Sequence, residues 1–502
     1  MEPSHLIEKS ELLIHSNDAE FPVEVFDTGD SSDFGIIKIK MKTVKMTQQP
    51  LFLLFTIDRT YSMEESNIKM VSKMNQVKQT FKNVIHYLSN QDITVYICVN
   101  AFNETVDTLI DVVLINNDNI SNLIQKIDEL TPDGLTNIGD ALISATQILN
   151  TYSAENPTHQ IGHIFMTDGE PTIGIRNGNE LSNYVNYTYT NTFIGYGVDH
   201  NACLLRELCE HNNAEYLFVD KTENTSFVYG EAIHKFLYPA IKNVTIQIEN
   251  GYIYNWRSNK WVTELNENVF VGEIEKIYNI KTADCEHVNV TIWGKHGTHF
   301  EKYGVIDRLY PLPSLITPSG DIIPSFIDLT NHIFRQKVME LLFYAKKNLH
   351  HKNELSIKSK IKELFKQLKR FIQKNDCEND AFMKTLCDDL SIVYNTIGGE
   401  YGNTYAISRH SAQCGQQSYN TSSPFIKPPK LKRYDHFAHM LQQQQNIRYN
   451  AIHYNIDENN LFENDSFDDI ENSIISEEVT NHYATPSMLR TMNSISHQYK
   501  IK

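Results

Sequence analysis

The sequence lacks the patterns that identify membrane proteins, secreted proteins and zinc-cluster proteins. No stretch of eighteen consecutive apolar residues occurs, so no transmembrane helix is expected. The opening segment, MEPSHLIEKSELLIHSNDAE, has no continuous apolar core and carries acidic residues early, which is not typical of a signal peptide. The seven cysteines are scattered, and no two have Cys-x-x-Cys spacing, so zinc ribbons and RING clusters are not expected. We therefore expect an intracellular, cytoplasmic protein with reduced thiols that is not secreted.

Basic residues are also scarce, and the usual motifs of several enzyme classes do not occur. The chain has 45 Lys and Arg against 62 Asp and Glu, a formal net charge of −17, so nucleic acid is not an expected partner. Without a transmembrane stretch, a membrane is not an expected partner either. The sequence contains no P-loop and no G-x-S-x-G element, and no nucleophile–base pair is recognisable. We therefore expect a binding protein and not an enzyme, while the oligomeric state stays open.

What the sequence does contain is a long alternation of strand and helix patterns. Residues 51–57 form a continuous apolar run, as in a central parallel strand that is covered on both faces. A helical apolar period follows from Val71 to Leu88, and strand patterns recur at 93–102, 161–167, 192–196 and 215–219. Such alternation predicts an α/β domain of the Rossmann-like, doubly wound type with a mainly parallel sheet.

The patterns change along the chain and predict five regions, with a proline-containing linker at 311–324 between the third and the fourth. Residues 37–41 alternate apolar side chains with lysines, which indicates a half-exposed strand at a sheet edge. The predicted regions are an N-terminal segment (1–34), the α/β domain (35–238), a small antiparallel β unit (239–310), a helical region (325–400) and a largely disordered tail (410–502). An acidic stretch at 457–478 has two interpretations, a solvated disordered tail or a docking segment.

Three separated segments carry oxygen-bearing side chains that could meet at one edge of the predicted sheet. The segment FTIDRTYSM follows the central strand, DGLTNIGDAL enters a helix, and IFMTDGEPT ends another strand. Ligands of open parallel sheets lie beyond the carboxyl ends of the strands. The candidate metal ligands in these segments are Asp58, Thr60, Ser62, Thr136 and Asp168. Two carboxylates and three hydroxyls suit Mg²⁺, with Mn²⁺ and Ca²⁺ as alternatives, and leave room for one external ligand.

These segments resemble the metal-ion-dependent adhesion site (MIDAS) of the von Willebrand factor A (VWA) domain family, written Asp-x-Ser-x-Ser, then Thr, then Asp. The stretch FIGYGVDHNACLLRELCEHNNAEYLFVD also resembles the last strand-helix-strand unit of that family, and the likeness covers about 200 of the 502 residues. The resemblance implies that the five candidate residues are the metal ligands, with Thr60 in place of the usual Ser. Tyr61 stands where small residues are common, so it either crowds the site or contacts the ligand.

The resemblance further implies a metal-dependent protein-interaction module that binds an acidic group on a protein partner. The layout is similar to intracellular VWA proteins of protists and large DNA viruses, so a viral protein would act in the host cell or the virion. An alternative is a component of an enzyme system such as ubiquitin ligation or protein processing. Asn137, Asp133 and Asp140 are interpreted as capping or outer groups, and Glu170 as a rim residue. Asp58 and Asp168 are expected in solvent-facing loops.

Overall fold

The structure is a computed structural model, and it describes most of the chain in eleven segments. These segments are residues 6–14, 33–66, 71–220, 225–282, 288–297, 299–307, 315–316, 322–323, 329–348, 353–418 and 483–496. In these segments the strands are β1 (Ile7–Ile14), β2 (Asp33–Met41), β3 (Leu51–Asp58), β4 (Val95–Phe102), β5 (Val106–Leu114), β6 (Gln160–Thr167), β7 (Thr190–Tyr196), β8 (Ala214–Val219), β9 (Pro239–Glu249), β10 (Tyr252–Asn255), β11 (Lys260–Val262), β12 (Glu264–Val271), β13 (Glu275–Thr282), β14 (Asn289–His296), β15 (His299–Asp307), β16 (Leu315–Ile316) and β17 (Ile322–Ile323).

Helices fill most of the remaining described chain. They are α1 (Lys73–Ser89), α2 (Ile120–Asp128), α3 (Ile138–Glu155), α4 (Gly178–Leu181), α5 (Ala202–Leu208), α6 (Thr225–Leu237), α7 (Thr330–Asn348), α8 (Glu354–Lys374), α9 (Ala381–Thr396), α10 (Gly402–Gly415) and α11 (Pro486–Ser496). Short 3₁₀ turns occur at Tyr61–Glu64 and Ser182–Tyr184. Of the helices in the described segments, none combines the length and the apolar content that a membrane crossing requires.

A six-stranded sheet in the order β5-β4-β3-β6-β7-β8 confirms the predicted doubly wound architecture. All pairs are parallel except β5, which runs antiparallel to β4 at the edge. Every residue of β3 is buried, because helices cover both faces of this strand. Leu53 and Phe55 belong to the core shared with α1 and α6, whereas Phe52 and Leu54 pack in the core that includes α3 residues. The alternating side chains of one strand thus anchor helices on opposite faces of the sheet.

The β unit has two antiparallel sheets and recruits the N-terminal strands, which differs from the predicted boundaries. The sheets are ordered β1-β2-β13-β10-β11 and β12-β9-β14-β15, and they share one hydrophobic core. The sequence predicts the strand at 37–41 as a sheet edge within a domain that starts at residue 35. Instead, β2 pairs with β1 on one side and β13 on the other. An alternating pattern shows which face is exposed but not which strands lie alongside, and Lys38 and Lys40 pair with Glu275 and Glu8.

The helices α7 to α10 share a separate apolar core, and α10 connects this bundle to the six-stranded sheet. The Ser408 hydroxyl lies 3.0 Å from the Tyr216 hydroxyl of β8, and Ile407 is buried in the core beside that sheet. The helical region therefore extends beyond the predicted limit at residue 400, because α10 buries polar and apolar side chains against α5 and β8.

The structure also differs from the predicted tail at two places. Residues up to 418 belong to or directly follow α10, and α11 packs against the α/β domain near the C-terminus. Met488, Met492 and Ile495 are buried, and the Asn83 side chain donates a hydrogen bond of 2.8 Å to the Ile495 carbonyl. Only four of the eleven residues of α11 are apolar, which gives a weak sequence signal, and the surface that buries three of them comes from α1, α6 and the β unit. The acidic stretch at 457–478 lies outside the described residues.

Candidate metal centre

The candidate residues meet at one edge of the six-stranded sheet. Asp58 is the last residue of β3, and Asp168 directly follows β6, the parallel neighbour of β3. Thr136 lies two residues before α3. Two backbone hydrogen bonds join the loop after β3 to the loop before α3. They run from the Tyr61 N–H to the Gly134 carbonyl (3.3 Å) and from the Asp133 N–H to the Arg59 carbonyl (2.7 Å). This placement follows from parallel pairing, because the carboxyl ends of neighbouring parallel strands meet at the same edge.

Four of the five candidate residues are joined by direct hydrogen bonds. The Thr60 backbone N–H donates to Asp58 Oδ1 at 2.9 Å, and the Thr60 hydroxyl lies 3.0 Å from Ser62 Oγ. The Ser62 hydroxyl donates in turn to Asp168 Oδ1 at 2.6 Å. The fifth, Thr136, borders the same space: a Cβ at Gly169 would lie 3.5 Å from Thr136 Oγ1 and 3.8 Å from Ser62 Oγ. All five candidates therefore converge on one cluster of oxygens.

Both carboxylates are buried, which differs from the expected solvent-facing loops. Asp58 is 0% exposed and Asp168 is 1% exposed. Asp58 is buried because it is the last residue of the central strand β3, which is covered on both faces of the sheet. The Thr167 hydroxyl, which the sequence did not single out, donates to Asp58 Oδ2 at 2.5 Å. Thr167 could have been noticed only as the residue that precedes Asp168 at the end of a strand.

Burial dominates the electrostatics of the two acids. Desolvation, followed by the nearby Asp168 carboxylate, raises the pKa of Asp58 to about 7, although hydrogen bonds from Thr167 and Thr60 lower it. Desolvation also raises the pKa of Asp168, while Lys73 and Ser62 act in the opposite direction. Two buried carboxylates in one cluster are unfavourable as anions unless a cation lies close to them.

Lys73 is the main residue of the site that sequence reasoning missed. Its ammonium group lies 2.8 Å from Asp168 Oδ2, 3.1 Å from Asp199 Oδ2 and 2.8 Å from Glu65 Oε2. Burial is the largest single effect on the pKa of Lys73 and lowers it, but the carboxylates together outweigh burial, so the pKa is raised. Lys73 is the first residue of α1 after the Ser72 cap, where the helix dipole disfavours a cation. A lysine at this position needs acidic neighbours, and that was the available signal.

The oxygen set fits a hard divalent cation. In an octahedral shell with metal–oxygen distances of about 2.1 Å, adjacent oxygens lie about 3.0 Å apart. The separations of 3.0 Å between Thr60 and Ser62 and of 2.6 Å between Ser62 and Asp168 are close to such an edge. Within the described segments, no group of three or more His, Cys, Asp or Glu side chains is arranged to hold a metal ion. A metal at this edge of the sheet would therefore depend on the hydroxyls as well as the two carboxylates.

The polar residues next to the five candidate ligands form hydrogen bonds that cap α3 and link the loops. The Asn137 side chain caps α3 by accepting a hydrogen bond of 3.2 Å from the Asp140 N–H, and its amide donates to Asp140 Oδ2 at 2.7 Å. The Thr172 hydroxyl accepts a hydrogen bond of 2.8 Å from the Thr136 N–H and thus fixes the Thr136 loop. Asp133 interacts with the Tyr61 hydroxyl, and this hydrogen bond raises the pKa of Tyr61. The Thr136–Thr172 and Tyr61–Asp133 contacts link the three loops around the oxygen cluster, whereas the Asn137–Asp140 contacts only cap α3.

Large apolar side chains are exposed around the oxygen cluster. Tyr61 is 61% exposed and Leu135, in the adjoining loop, is 45% exposed. Tyr401, just before α10, is 36% exposed and lies near Asp199 and Glu65, which contribute to its raised pKa after burial and Glu400. We refer to Tyr61, Leu135 and Tyr401 as the apolar rim. Because most of the Tyr61 side chain is exposed, it is accessible to a ligand and does not fill the cluster.

Comparison with known proteins gives consistent results for the central part of the chain. Residues 53–230 match the family model of the von Willebrand factor type A domain. Inter-alpha-trypsin inhibitor heavy chain H2 of Mus musculus is 28% identical over 263 residues, which is 48% of this chain. The matched region spans only 27% of that relative's length.

One solved structure shows that the likeness of the fold extends further. A von Willebrand factor type A protein from Catenulispora acidiphila has a TM-score of 0.54 at 11% sequence identity, and the alignment covers 82% of this chain and 98% of that one. The ArnB paralogue VWA2 from Sulfolobus acidocaldarius has a TM-score of 0.47 at 14% identity, covering 80% and 97% of the two chains. The first of these shows a shared fold that includes regions outside the α/β domain. Residues 53–230 of this chain form a von Willebrand factor type A domain.

Proposed function

We propose that this VWA domain binds a protein partner through a divalent cation held by Asp58, Thr60, Ser62, Thr136 and Asp168. The observation that carries the proposal is the convergence of two buried carboxylates and three hydroxyls at one edge of the sheet. VWA domains commonly act as metal-dependent protein-interaction modules. We propose Mg²⁺ as the cation, with Mn²⁺ and Ca²⁺ as alternatives, because all donors are oxygens.

The acidic surroundings determine what the partner must supply. Glu65 and Asp199 lie beside the cluster, and Asp133 borders it through Tyr61. A carboxylate on a partner would be repelled by these groups in the absence of metal. A bound divalent cation reverses the sign of the local interaction and offers a coordination position to that carboxylate. We therefore propose a partner that contributes an Asp or Glu side chain only when metal is present.

The apolar rim narrows the partner further. Tyr61 and Leu135 lie next to the oxygen cluster and are largely exposed, and Tyr401 lies near Asp199. Aromatic residues at an interface contribute large buried areas around a polar anchor. We propose that the acidic residue of the partner is flanked by an apolar side chain that packs on this rim.

We further propose that the domain binds without catalysing a reaction and that it works inside the cell. In support of the location, the six described cysteines are all free: Cys98, Cys203, Cys209, Cys377, Cys387 and Cys414. Free, mostly buried thiols are typical of a reducing compartment. Fractionation of expressing cells, with the thiols trapped by an alkylating agent at lysis, tests the compartment and the redox state together.

Metal binding is tested by titrating Mg²⁺ and Mn²⁺ into the full chain in a calorimeter. We expect one site in the wild type and a loss of at least about tenfold in affinity for Asp168→Asn, because a first ligand loses its charge. The matched control is Asp140→Asn, which changes an acid that contacts Asn137 at the start of α3. Equal binding by Asp168→Asn and wild type would contradict the assigned site.

Partner chemistry is tested with a displayed library of random peptides. Peptides captured in Mg²⁺ and released by EDTA should contain Asp or Glu next to an aromatic or aliphatic residue. The Asp168→Asn chain should capture none of them, whereas Asp140→Asn should retain them. Recovery of peptides without an acidic residue would show that a different chemistry operates at this face.

A further inference from the structure

The ammonium group of Lys73 occupies the position where a cation is most needed in this site. It contacts Asp168 Oδ2 at 2.8 Å, while Asp168 Oδ1 accepts the Ser62 hydroxyl. Both oxygens of the buried carboxylate are therefore engaged within the protein itself. A divalent ion that binds the oxygen cluster must use Asp168, so it would lie close to the ammonium group. Like charges at such a separation repel strongly in a buried site.

Lys73 also has two further carboxylates within reach, and they differ from Asp168 in exposure. The Asp168 side chain is 0% exposed, whereas the side chains of Asp199 and Glu65 are 37% and 62% exposed. The ammonium group thus lies between one buried acid, which belongs to the metal site, and two acids at the surface. It can leave Asp168 and keep charged partners, which an isolated lysine could not do without a large desolvation cost.

The loop that covers Lys73 is shaped for this side chain. Gly197 has a φ of +80°, and a Cβ there would lie 3.3 Å from Lys73 Cε and 3.4 Å from Lys73 Nζ. The same Cβ would lie 3.0 Å from Asp199 Oδ1. A glycine at this turn lets the backbone follow the lysine closely and brings Asp199 to its ammonium group. This packing indicates a built position for Lys73 and not a chance surface contact.

We propose that Lys73 is a tethered cation that competes with the divalent metal for Asp168, and that metal binding transfers its ammonium group to Asp199 and Glu65. This inference rests on the proposed function of the same site. Without metal, Lys73 compensates the charge of Asp168 and keeps the loops assembled. With metal, the displaced lysine pairs with the two surface acids. The affinity for metal is therefore set by the balance between these two pairings.

The first test measures Mg²⁺ affinity by calorimetry for the full-length wild type, Lys73→Met and Lys78→Met. We expect Lys73→Met to bind Mg²⁺ at least about tenfold more tightly, because the competing charge is gone. Lys78 lies on the same helix and donates to the Asp128 carbonyl, so Lys78→Met should bind as the wild type does. Thermal unfolding adds a second measurement: Lys73→Met should be less stable than wild type in EDTA and should gain more stability from Mg²⁺.

The second test removes the alternative partners of the lysine and leaves Asp168 in place. The double variant Glu65→Gln, Asp199→Asn should bind Mg²⁺ more weakly, because the displaced ammonium group then has no carboxylate. General loss of negative charge would also weaken binding, so the same double change is made in the Lys73→Met chain. There its effect should be at least about threefold smaller, since contacting residues show non-additive effects. An equal effect in both backgrounds would overturn the transfer step.

The outcomes separate this inference from the proposed function. If wild type and Lys73→Met bind Mg²⁺ equally, the competition is wrong while the metal site stands. If only Lys73→Met binds Mg²⁺, the competition is supported, and the wild-type site relies on its lysine in place of a metal. If neither chain binds Mg²⁺ or Mn²⁺ while both are folded, both proposals are overturned.

Discussion

The substitution Asp58→Asn should change how stability depends on pH in the absence of metal. Asp58 is fully buried beside Asp168, and its pKa of about 7 in the folded chain lies above the ordinary value of 3.8. The folded state therefore binds this proton more tightly than the unfolded state. The associated stability is present below pH 3.8 and is lost as the pH rises toward 7. Asparagine keeps the size of the side chain and removes the titration.

The magnitude follows from the width of that interval. Each pKa unit corresponds to about 1.36 kcal/mol, so a rise of about three units corresponds to a loss of about 4 kcal/mol between pH 4 and pH 8. Because Asp58 is 0% exposed, no reduction for solvent screening applies. Lys73 compensates the charge of Asp168 more directly than that of Asp58, since its ammonium group forms ion pairs with Asp168, Asp199 and Glu65. The Asp58 charge therefore keeps most of its cost in metal-free protein.

The measurement is urea unfolding of wild type and Asp58→Asn in EDTA at several pH values from 4 to 8. The difference between the two chains isolates Asp58 from the other titrating groups. The variant should gain stability relative to wild type as the pH rises, by about 4 kcal/mol over the range. Mg²⁺ at a hundredfold excess over its dissociation constant should return about 2.7 kcal/mol to wild type alone. A difference that stays constant with pH would refute the electrostatic account of this carboxyl.

Three further predictions concern other parts of the molecule. His163 is buried between the Thr56 hydroxyl and the Asn191 amide oxygen, each 3.0 Å away, and burial lowers its pKa to about 4. The stability that neutral His163 contributes is lost as the pH falls from 6.5 toward 4. In His163→Gln, the free energy of unfolding in urea should therefore fall by about 3 kcal/mol less over this interval than in wild type. An equal fall in both chains would contradict this prediction. In α11, Ile495→Ala should lower the free energy of unfolding by about 2–5 kcal/mol because Ile495 is 0% exposed. Leu489→Ala, at an exposed position of the same helix, should lower it by less than about 0.5 kcal/mol. Equal losses for the two variants in thermal or urea unfolding would show that α11 does not pack as described. At the apolar rim, Tyr61→Ala should leave the Mg²⁺ affinity measured by calorimetry unchanged within about twofold. It should weaken binding of the selected acidic peptides by at least about tenfold, because Tyr61 is exposed beside the cluster. A parallel loss of metal affinity would show that Tyr61 contacts the metal instead.

Local patterns were sufficient for much of the VWA domain. The continuous apolar run at 51–57 predicts a strand covered on both faces, and β3 (Leu51–Asp58) is buried along its whole length. The helical period from Val71 to Leu88 agrees with α1. In both cases, the periodicity of side chains along a single element decides its type and its buried face, and this information is local. The mainly parallel order follows from the alternation of such elements.

Local patterns could not identify the partners of the terminal strands and helices. The alternation at 37–41 is real, but the strand joins β1 and β13 and not the domain that follows it. The buried face of α11 is filled by residues from α1 and α6 that are more than 240 positions away in sequence, such as the Thr491 contacts with Tyr87 and His234. An element with few apolar residues becomes ordered only when a distant surface covers it, so its own sequence gives little signal.

For the candidate metal centre, the sequence by itself determined which oxygen-bearing residues stand at the ends of β3 and β6 and before α3. The tertiary structure decided their environment: both carboxylates are buried, Thr167 donates to Asp58, and Lys73 contacts Asp168. The physical reason lies in the range of the interactions. Strand type and strand end depend on neighbours along the chain, whereas burial, charge compensation and the pKa of a carboxyl depend on groups that only folding brings within a few ångströms.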